Sequence, residues 1–323
     1  MIGNTGGYNG GGTDSEVDWI TYAPVYGKDA QDLYDDAVAG RQPGARPPYQ
    51  ASTDPHLPGG GELWKHARLL ASGDFSQTGH SDLLVIWTDG ETTLYPGDAQ
   101  GGFKPERQLL PKNDLWKNTG SITGGDFTGS NQFDLMVRWN DGEVTLYPDV
   151  SSNGLKHDGT QMAKNSTWKD ATQISAGRYN ADTYVTDLMV RWTDGELTLY
   201  TNVSSGTFGQ EHKLRNPDPV WKDATLLTSG QFSGHHKWDL MIRWVDGEVD
   251  TYVGTTTTAL GTEHRILDKN HLWADNANVI STGNYTPNDL TDDLLIRWSD
   301  GETTMYKDSP ADHLGTEQTL VTR

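Results

Sequence analysis

Hydrophobic and polar positions alternate in short stretches along residues 63–323, and most stretches end at a turn signal. The segment DLMVRWNDGEVTLYP shows the arrangement, with two apolar-rich stretches on either side of an Asp-Gly pair. Asp-Gly in this setting is a strong hairpin signal, because both residues of a two-residue turn must accept positive φ. The pattern predicts a hairpin with bulk on both faces and two pairs on one of them, Trp139 with Val144 and Val137 with Leu146.

Tryptophan marks a repeat at two places in every copy, which is the signature of a repeat architecture. The early set is Trp64, Trp116, Trp168, Trp221 and Trp273, at intervals of 52, 52, 53 and 52 residues. The later set is Trp87, Trp139, Trp192, Trp244 and Trp298. The five copies span about 63–114, 115–166, 167–219, 220–271 and 272–323.

Each copy contains four predicted strands. One strand follows the early Trp, two form the hairpin, and the fourth has text such as PERQLL, QEHKLR or TEHRIL. Bulk on both faces of the hairpin is typical of a sheet packed between two neighbours. Five such units predict an all-β fold, a five-bladed β-propeller of four-stranded antiparallel blades at 63–323. Residues 1–62 are expected to form an N-terminal extension, with one possible helix at 29–40 and a Pro/Gly-rich linker.

The repeat text resembles a known family. The pattern G-D-F-x-G-x-x-x-D-L-x-V-R-x-x-D-G-x-x-x-L-Y, with a later Leu-Trp, is similar to the FG-GAP/VCBS repeat of secreted actinobacterial proteins, which is akin to the integrin α propeller. The resemblance covers about 261 of 323 residues. It implies a propeller and an extracellular, secreted setting, but no single function, because the repeat occurs in lectin-like modules, adhesins and hydrolase appendages. Five-bladed propeller lectins are a looser analogy.

The net charge and the composition limit the classes of partner that the protein is expected to bind. The net charge is −20, which repels nucleic-acid phosphates and anionic lipid heads. The sequence contains no apolar run near the roughly 18 residues that a membrane span needs. It has 0 cysteines, which excludes disulfides, thiolate catalysis and Cys-based zinc sites. We therefore expect no nucleic acid and no membrane insertion, and a monomer is favoured.

The family resemblance also implies a calcium loop between the first and second strands, with oxygen ligands at loop positions 1, 3, 5 and 9. Copies one and two supply Asp74, Ser76, Thr78 and Asp82, and Asp126, Thr128, Ser130 and Asp134. Copies three to five begin this loop with Arg178, Gln231 and Asn284, and arginine opposes a cation. Calcium is possible in the first two loops, but no cofactor is expected to be required. The alternative is that the last Asp accepts backbone N–H groups and fixes the loop without metal.

A repeated Arg near the end of the second strand allows two interpretations. It occurs as Arg138, Arg191, Arg243 and Arg297, and copy one has Ile86 in its place. The side chain could pack between blades with its guanidinium bonded to a carbonyl or carboxylate, or it could line a ligand pocket between blades.

A candidate glycan site follows from topology. In a four-stranded antiparallel blade, the hairpin turn and the connection to the next blade emerge on the same face. The connection carries the early Trp set given above. The turn aspartates are Asp89, Asp141, Asp194, Asp246 and Asp300, and the glutamates that follow are Glu91, Glu143, Glu196, Glu248 and Glu302. An aromatic face beside fixed carboxylates suits sugars. Alternatively, the Trp seals the blade junction and the Glu is a solvated turn residue.

Motifs for catalysis are mostly lacking in the sequence, which contains no G-x-S-x-G, H-E-x-x-H or phosphate loop. Glycoside hydrolysis needs two carboxylates in distinct environments, and near-identical copies disfavour such a pair. The sequence therefore favours a multivalent carbohydrate-binding propeller with repeated weak glycan sites and glycoconjugates as partners. The alternatives are a protein-interaction module of a larger secreted hydrolase and a glycoside-active propeller enzyme.

Overall fold

Twenty short strands form five separate four-stranded sheets in the described chain. A computed structural model describes residues 57–155, 159–180, 184–234, 238–286 and 291–323. These residues belong to the compact unit Ala51–Arg323, and the chain's other unit is Met1–Gln50. The possible helix at 29–40 lies outside the described residues. Within the described ranges, none of the helices has the length and apolar character that crossing a membrane requires.

Each sheet takes its four strands from one copy of the repeat, in chain order and all antiparallel. The first strands are β1 (Ala67–Gly73), β5 (Thr119–Gly125), β9 (Ala171–Gly177), β13 (Ala224–Gly230) and β17 (Ala277–Gly283). The second strands are β2 (Asp82–Trp87), β6 (Asp134–Trp139), β10 (Asp187–Trp192), β14 (Asp239–Trp244) and β18 (Asp293–Trp298). The third strands are β3 (Thr92–Tyr95), β7 (Glu143–Tyr147), β11 (Leu197–Thr201), β15 (Val249–Val253) and β19 (Thr303–Lys307). The fourth strands are β4 (Arg107–Leu110), β8 (Thr160–Lys164), β12 (Gln210–Arg215), β16 (Thr262–Leu267) and β20 (Thr316–Val321).

Short helical turns carry the early Trp into each blade. They are α1 (Gly60–Trp64), α2 (His271–Asn276) and the 3-10 turns Trp116–Asn118, Ser166–Asp170 and Trp221–Asp223. We call the segment that leads into a first strand a link, and we number the blades 1 to 5 in chain order.

The first strands form a closed ring. β1 contacts β5 and β17, β9 contacts β5 and β13, and β13 contacts β17. Each sheet therefore radiates outward from a first strand at the centre, and the predicted five-bladed β-propeller is confirmed.

Both faces of each blade are buried against neighbours. In blade 2, Leu135 and Val137 pack in a cluster with Leu84 of blade 1, whereas Met136 packs in a cluster with Val190 of blade 3. Five such clusters occupy the five blade junctions. This packing removes apolar surface from water on both sides of a sheet, which explains why the second strands are almost entirely buried.

The hairpin register differs by one residue from the prediction. Val144 pairs with Arg138 and not with Trp139. The turn has three residues, because the N–H of Gly142 donates to the Trp139 carbonyl at 3.0 Å and only Gly142 within the turn has positive φ, at 89°. A type I turn followed by a left-handed glycine also selects Asp-Gly, so the dipeptide alone could not distinguish it from a two-residue turn. As a result, Val144 and Leu146 share a face with Arg138.

The turn glycine also supports the next link. A Cβ on Gly195 would lie 2.0 Å from the Asp218 carbonyl oxygen, so only glycine permits this approach. The equivalent Cβ-to-oxygen distances are 1.9 Å for Gly90 to Asn113, 2.4 Å for Gly142 to Asn165, 1.9 Å for Gly247 to Asn270 and 1.9 Å for Gly301 to Gly61. The last pair joins blade 5 to the link of blade 1, and the Gly61 N–H donates to the Thr322 carbonyl at 2.7 Å. The ring therefore closes with the same contact that joins its other blades.

Hydroxyl groups connect neighbouring first strands where no continuous ladder of backbone bonds exists. The pairs are Ser121 Oγ with Ile174 N (3.2 Å), Ser175 Oγ with Ser229 N (2.9 Å), Thr228 Oγ1 with Thr282 Oγ1 (2.8 Å) and Ser72 Oγ with Ser281 Oγ (2.6 Å). Because the sheets diverge from the axis, these side chains satisfy polar groups that the neighbouring backbone does not reach. The wall of the central channel is consequently rich in hydroxyls.

The repeated Arg serves the junction between blades. Arg243 donates through Nη2 to the carbonyl of Ala277, the first residue of β17, at 2.9 Å. Burial lowers the pKa of these guanidinium groups, in Arg297 to about 10. The structure thus supports the first of the two interpretations, a stem packed between blades with its head on carbonyl oxygens.

Blade 1 keeps the guanidinium but takes it from another strand. Arg68 of β1 donates to the carbonyl of Thr119, the first residue of β5, and to the Trp116 carbonyl at 2.9 Å. In blade 2 the residue equivalent to Arg68 is Gly120, and a Cβ there would lie 2.4 Å from Arg138 Nη1. Blade 1 therefore has Arg68 on its first strand and Ile86 on its second strand, at the positions where blade 2 has Gly120 and Arg138.

We predict that Gly195→Ala destabilises the protein more than Gly206→Ala does. Both glycines have positive φ, 87° and 82°, but nothing lies within 4 Å of a Cβ on Gly206. The control should lose about 1–2 kcal/mol for the left-handed backbone alone, and Gly195→Ala about 1–3 kcal/mol more for the overlap with the link. Denaturant unfolding of both variants measures the difference. Equal losses would contradict the supporting role of the turn.

We also predict that the second strand of blade 1 can supply the guanidinium of this junction in place of the first strand. Arg68→Gly should lose about 2–4 kcal/mol, because three charged hydrogen bonds, to the Thr119 carbonyl, the Thr119 hydroxyl and the Trp116 carbonyl, disappear and the carbonyls are left buried. Adding Ile86→Arg to that variant rebuilds the arrangement of blade 2 and should recover at least half of the loss. Arg107→Gly, on the exposed part of β4, serves as the control and should cost about 1 kcal/mol or less. If the double variant is no more stable than Arg68→Gly, the exchange is not compensatory.

Candidate functional site

The early Trp residues are packing residues in this structure. Trp64 is 0% exposed, Trp116, Trp221 and Trp273 are each 4% exposed, and Trp168 is 5% exposed. The ring centroid of Trp116 lies 5.4 Å from those of Trp139 and Tyr147, and an equivalent triad occurs in every blade. Indole faces enclosed in this way leave no room for a sugar ring. The burial favours the alternative in which these Trp side chains seal the blade junction, and the stacking role stays a prediction.

The turn aspartates are used within their own turns. In every copy one oxygen accepts the backbone N–H of the following Glu, at 3.0–3.2 Å. The five residues are Asp89, Asp141, Asp194, Asp246 and Asp300. These bonds explain why Asp recurs at this position, in addition to the preference of the turn for it.

Most of the turn glutamates have protein partners as well. Glu196 accepts a salt bridge from Lys213 at 2.6 Å, Glu248 from Arg265 at 2.7 Å and Glu302 from Arg323 at 3.1 Å. Glu143 lies 4.0 Å from Lys164, and Glu91 is buried. The topology thus brings Trp and carboxylates to one end of each blade, as predicted, but much of their bonding capacity is already in use.

The loop carboxylates also bind backbone amides. Asp134 accepts N–H groups of Thr128 and Asp149, each at 2.8 Å, and so bridges two loops of blade 2. Asp82 accepts from Ser76 and Gly97, and Asp187, Asp239 and Asp293 make the same pair of contacts. Asp74 and Asp126 each accept two N–H groups within their own loops. Among the described residues, no group of three or more His, Asp or Glu side chains is placed to hold a metal ion.

A different site lies on the axis of the ring. The first strands enclose a channel of about 420 Å³. At the end that faces the loops between first and second strands, its lining includes six side chains from four blades that we single out. They are Asp74, His80, Phe133, Gln231, Trp238 and Asp292, and we call this end the asymmetric mouth.

The copies diverge at this mouth although they agree elsewhere. The residue before the invariant loop Asp is Ser81, Phe133, Thr186, Trp238 or Asp292, depending on the copy. The residue after the last glycine of the first strand is Asp74, Asp126, Arg178, Gln231 or Asn284. Five identical copies would build a symmetric ring, whereas these differences give the mouth one distinct arrangement of groups. The sequence analysis did not identify this site because it used the positions that the copies share. The signal that could have found it lies at the positions where the copies differ.

Asp292 is the most unusual group of the mouth. It is 6% exposed, its Oδ2 accepts the Gln231 N–H at 2.7 Å, and no described residue donates to its Oδ1. Gly230 gives it room, because a Cβ there would lie 3.1 Å from Oδ2. Burial, together with a smaller contribution from the nearby carboxylates Asp293 and Asp239, raises the pKa of Asp292 to about 6. A buried carboxylate with so few hydrogen-bond partners is typical of a ligand-binding site.

Two further polar atoms of the mouth are unpartnered within the described part of the chain. Gln231 Oε1 and His80 Nδ1 are both buried and make no hydrogen bond there. Trp238 and Phe133 are partly exposed and supply aromatic surface. The mouth therefore combines hydrogen-bonding groups, a carboxylate and aromatic faces in one concave place, as ligand sites do.

Comparisons with known proteins found only distant likenesses, and these are to solved structures. No family model and no curated protein matches the sequence. Among solved structures, BBS1N in complex with ARL6DN is 11% identical, with a TM-score of 0.41 over 79% of this chain and 82% of that one. The BP39L lectin from Burkholderia pseudomallei is 13% identical, with a TM-score of 0.40 over 77% and 69%. The Dos1 propeller is 11% identical, with a TM-score of 0.36 over 79% and 60%. Likeness at this level carries no argument about a ligand.

We predict that Asp292→Asn stabilises the protein at neutral pH. The folded-state pKa of about 6 exceeds the ordinary 3.8, so the stability contributed by Asp292 is complete below about pH 4 and is lost as the pH rises through about 6. The variant should therefore gain about 1–3 kcal/mol on the parent between about pH 4 and about pH 7.5. Denaturant unfolding at both pH values measures this gain. Asp170→Asn, at an exposed position, should show no such gain, and equal pH profiles for parent and Asp292→Asn would contradict the assignment.

Proposed function

We propose that this propeller binds carbohydrate and that it holds one saccharide unit at the asymmetric mouth of its channel. The observation that carries the proposal is Asp292, a buried carboxylate on a channel wall with a single protein donor among the described residues. A sugar hydroxyl would donate to its free oxygen and so remove the cost of leaving that oxygen unpaired.

The rest of the mouth suits the same ligand class. Trp238 and Phe133 offer aromatic surface to the C–H face of a pyranose ring. Gln231 and His80 supply hydrogen-bonding atoms that have no partner in the described chain. The channel volume of about 420 Å³ is in the usual range for ligand sites, about 300–1,000 Å³. Hydroxyls such as Ser72 and Thr282 continue along the channel wall.

This proposal places one site on the axis instead of five sites around the rim. The repeated weak sites at the early Trp and the turn carboxylates stay a prediction, but the burial of the indoles does not favour them. The FG-GAP/VCBS relationship and the secreted, extracellular setting belong to the same proposal and rest on the repeat text alone.

We predict one binding site per chain. A glycan array selects the sugar, and isothermal titration with its monovalent form should give a stoichiometry of about one. Trp238→Ala should weaken binding at least about tenfold, which is about 1.4 kcal/mol, whereas Val245→Ala, at an exposed position outside the channel lining, should leave it unchanged. About five equal sites per chain would favour the repeated-site alternative. The absence of binding to any sugar would overturn the proposal.

A protein-interaction role is the second candidate, and one observation favours it. Among the residues that the structure describes, four large apolar side chains are exposed, Leu115 at 61%, Val220 at 63%, Leu272 at 56% and Val245 at 53%. Three of them precede an early Trp in a link, and Val245 follows a later Trp, so all four lie on the face of the turns and links. Exposed apolar residues gathered on one face are typical of protein-binding surfaces. An array without glycan binding would leave this face as the better candidate.

A further inference from the structure

In the described part of the chain, Asp292 has neither a positive partner nor a donor for its second oxygen. No described Lys, Arg or His lies within ion-pair distance of it. The charged groups that act on it are the carboxylates Asp239 and Asp293. Its neighbours at the mouth include Asp74 and His80, and none of the described residues that line the mouth is a lysine or an arginine. The charged groups that the structure describes in the lining of the mouth are therefore carboxylates.

A buried negative charge without a counter-ion is costly, and a cation that enters the same cavity removes most of that cost. A neutral hydroxyl satisfies only the hydrogen bond. An ammonium group satisfies the hydrogen bond and the charge together, and hydrogen bonds between charged groups are roughly twice as strong as neutral ones. Trp238 and Phe133 suit a cation as well, because aromatic faces attract positive charge. The net charge of −20 draws cations toward the protein in general.

We infer that the asymmetric mouth prefers a sugar with a free amino group, whose ammonium is seated against Asp292. This inference rests on the carbohydrate-binding function proposed above and names the ligand class of that same site. An acidic sugar is disfavoured, because its carboxylate would face Asp74 and Asp292. An N-acetylated sugar loses the charge and so loses the preference.

The test compares amino sugars with their neutral parents. The probes are glucosamine against glucose and N-acetylglucosamine, and galactosamine against galactose, titrated calorimetrically into the whole chain at about pH 7. An amine beside hydroxyls titrates near the α-amino range of about 7.7–8.0, so it is mostly charged at that pH. We expect at least one amino sugar to bind about tenfold or more tightly than its parent and its acetylated form.

Two further measurements assign the preference to Asp292. Asp292→Asn removes the negative charge but keeps a carbonyl oxygen, so in this variant the amino sugar should bind no more tightly than its neutral parent. Asp170→Asn is exposed and lies in a link outside the channel lining, so it should retain the preference. In the unmodified protein the preference should fall as the pH drops from about 7 to about 5, because Asp292 gains a proton.

The possible outcomes distinguish a failure of the amino-sugar preference from a failure of the proposed carbohydrate-binding function. Binding of parent and amino sugars with equal affinity overturns the inference and leaves the carbohydrate-binding function standing. A preference that survives in Asp292→Asn also overturns it, because another group then holds the ammonium. Binding of none of these sugars, together with an empty glycan array, overturns both.

Discussion

The propeller depends on the contact between each turn glycine and the link that follows it. The link carbonyl occupies the space in which any other residue would place a Cβ, as Gly195 and Asp218 show. This contact fixes where the chain leaves one blade and enters the next, and the early Trp is then inserted between the sheets. Because the contact occurs at all five junctions, including Gly301 with Gly61, the angle between blades is set locally and repeated until the ring closes.

The repeated charged residues serve this scaffold. The loop Asp ties two loops together through backbone amides, the turn Asp caps its own turn, and the buried Arg holds the start of the next blade. Each solves a problem that every blade has, namely polar backbone groups left at the end of a strand. What all copies share is therefore explained by folding. What they do not share, Phe133, Trp238 and Asp292 among them, lies around the channel and gives the molecule its individual chemistry.

The sequence was sufficient for the fold because the repeat and its turn signals are local. The Trp spacing and the Asp-Gly pairs predicted five blades of four strands, and both were right. The register was missed because Asp-Gly fits a three-residue turn as well as a two-residue one, and only the backbone of Gly142 distinguishes them. The sequence placed Trp116 and Glu143 at the same end of a blade, but it did not decide whether the Trp ring faces a ligand or seals the blade junction. The asymmetric mouth was missed for another reason. Its residues come from different copies and meet only when the ring is closed, so a comparison of the positions that the copies share does not show it.

Every sheet is built from one uninterrupted stretch of chain, and no strand is exchanged between the first and last blades. Sheet formation thus involves only short-range contacts, which favours rapid folding of each blade and allows blades to form one after another as the chain is synthesised. The junction of blades 5 and 1 is bonded like the others, yet within the described residues no peptide segment crosses it. Thermal opening of the ring should therefore start there. A circular permutant with new ends in another link would move the weakest junction to that position without changing any blade.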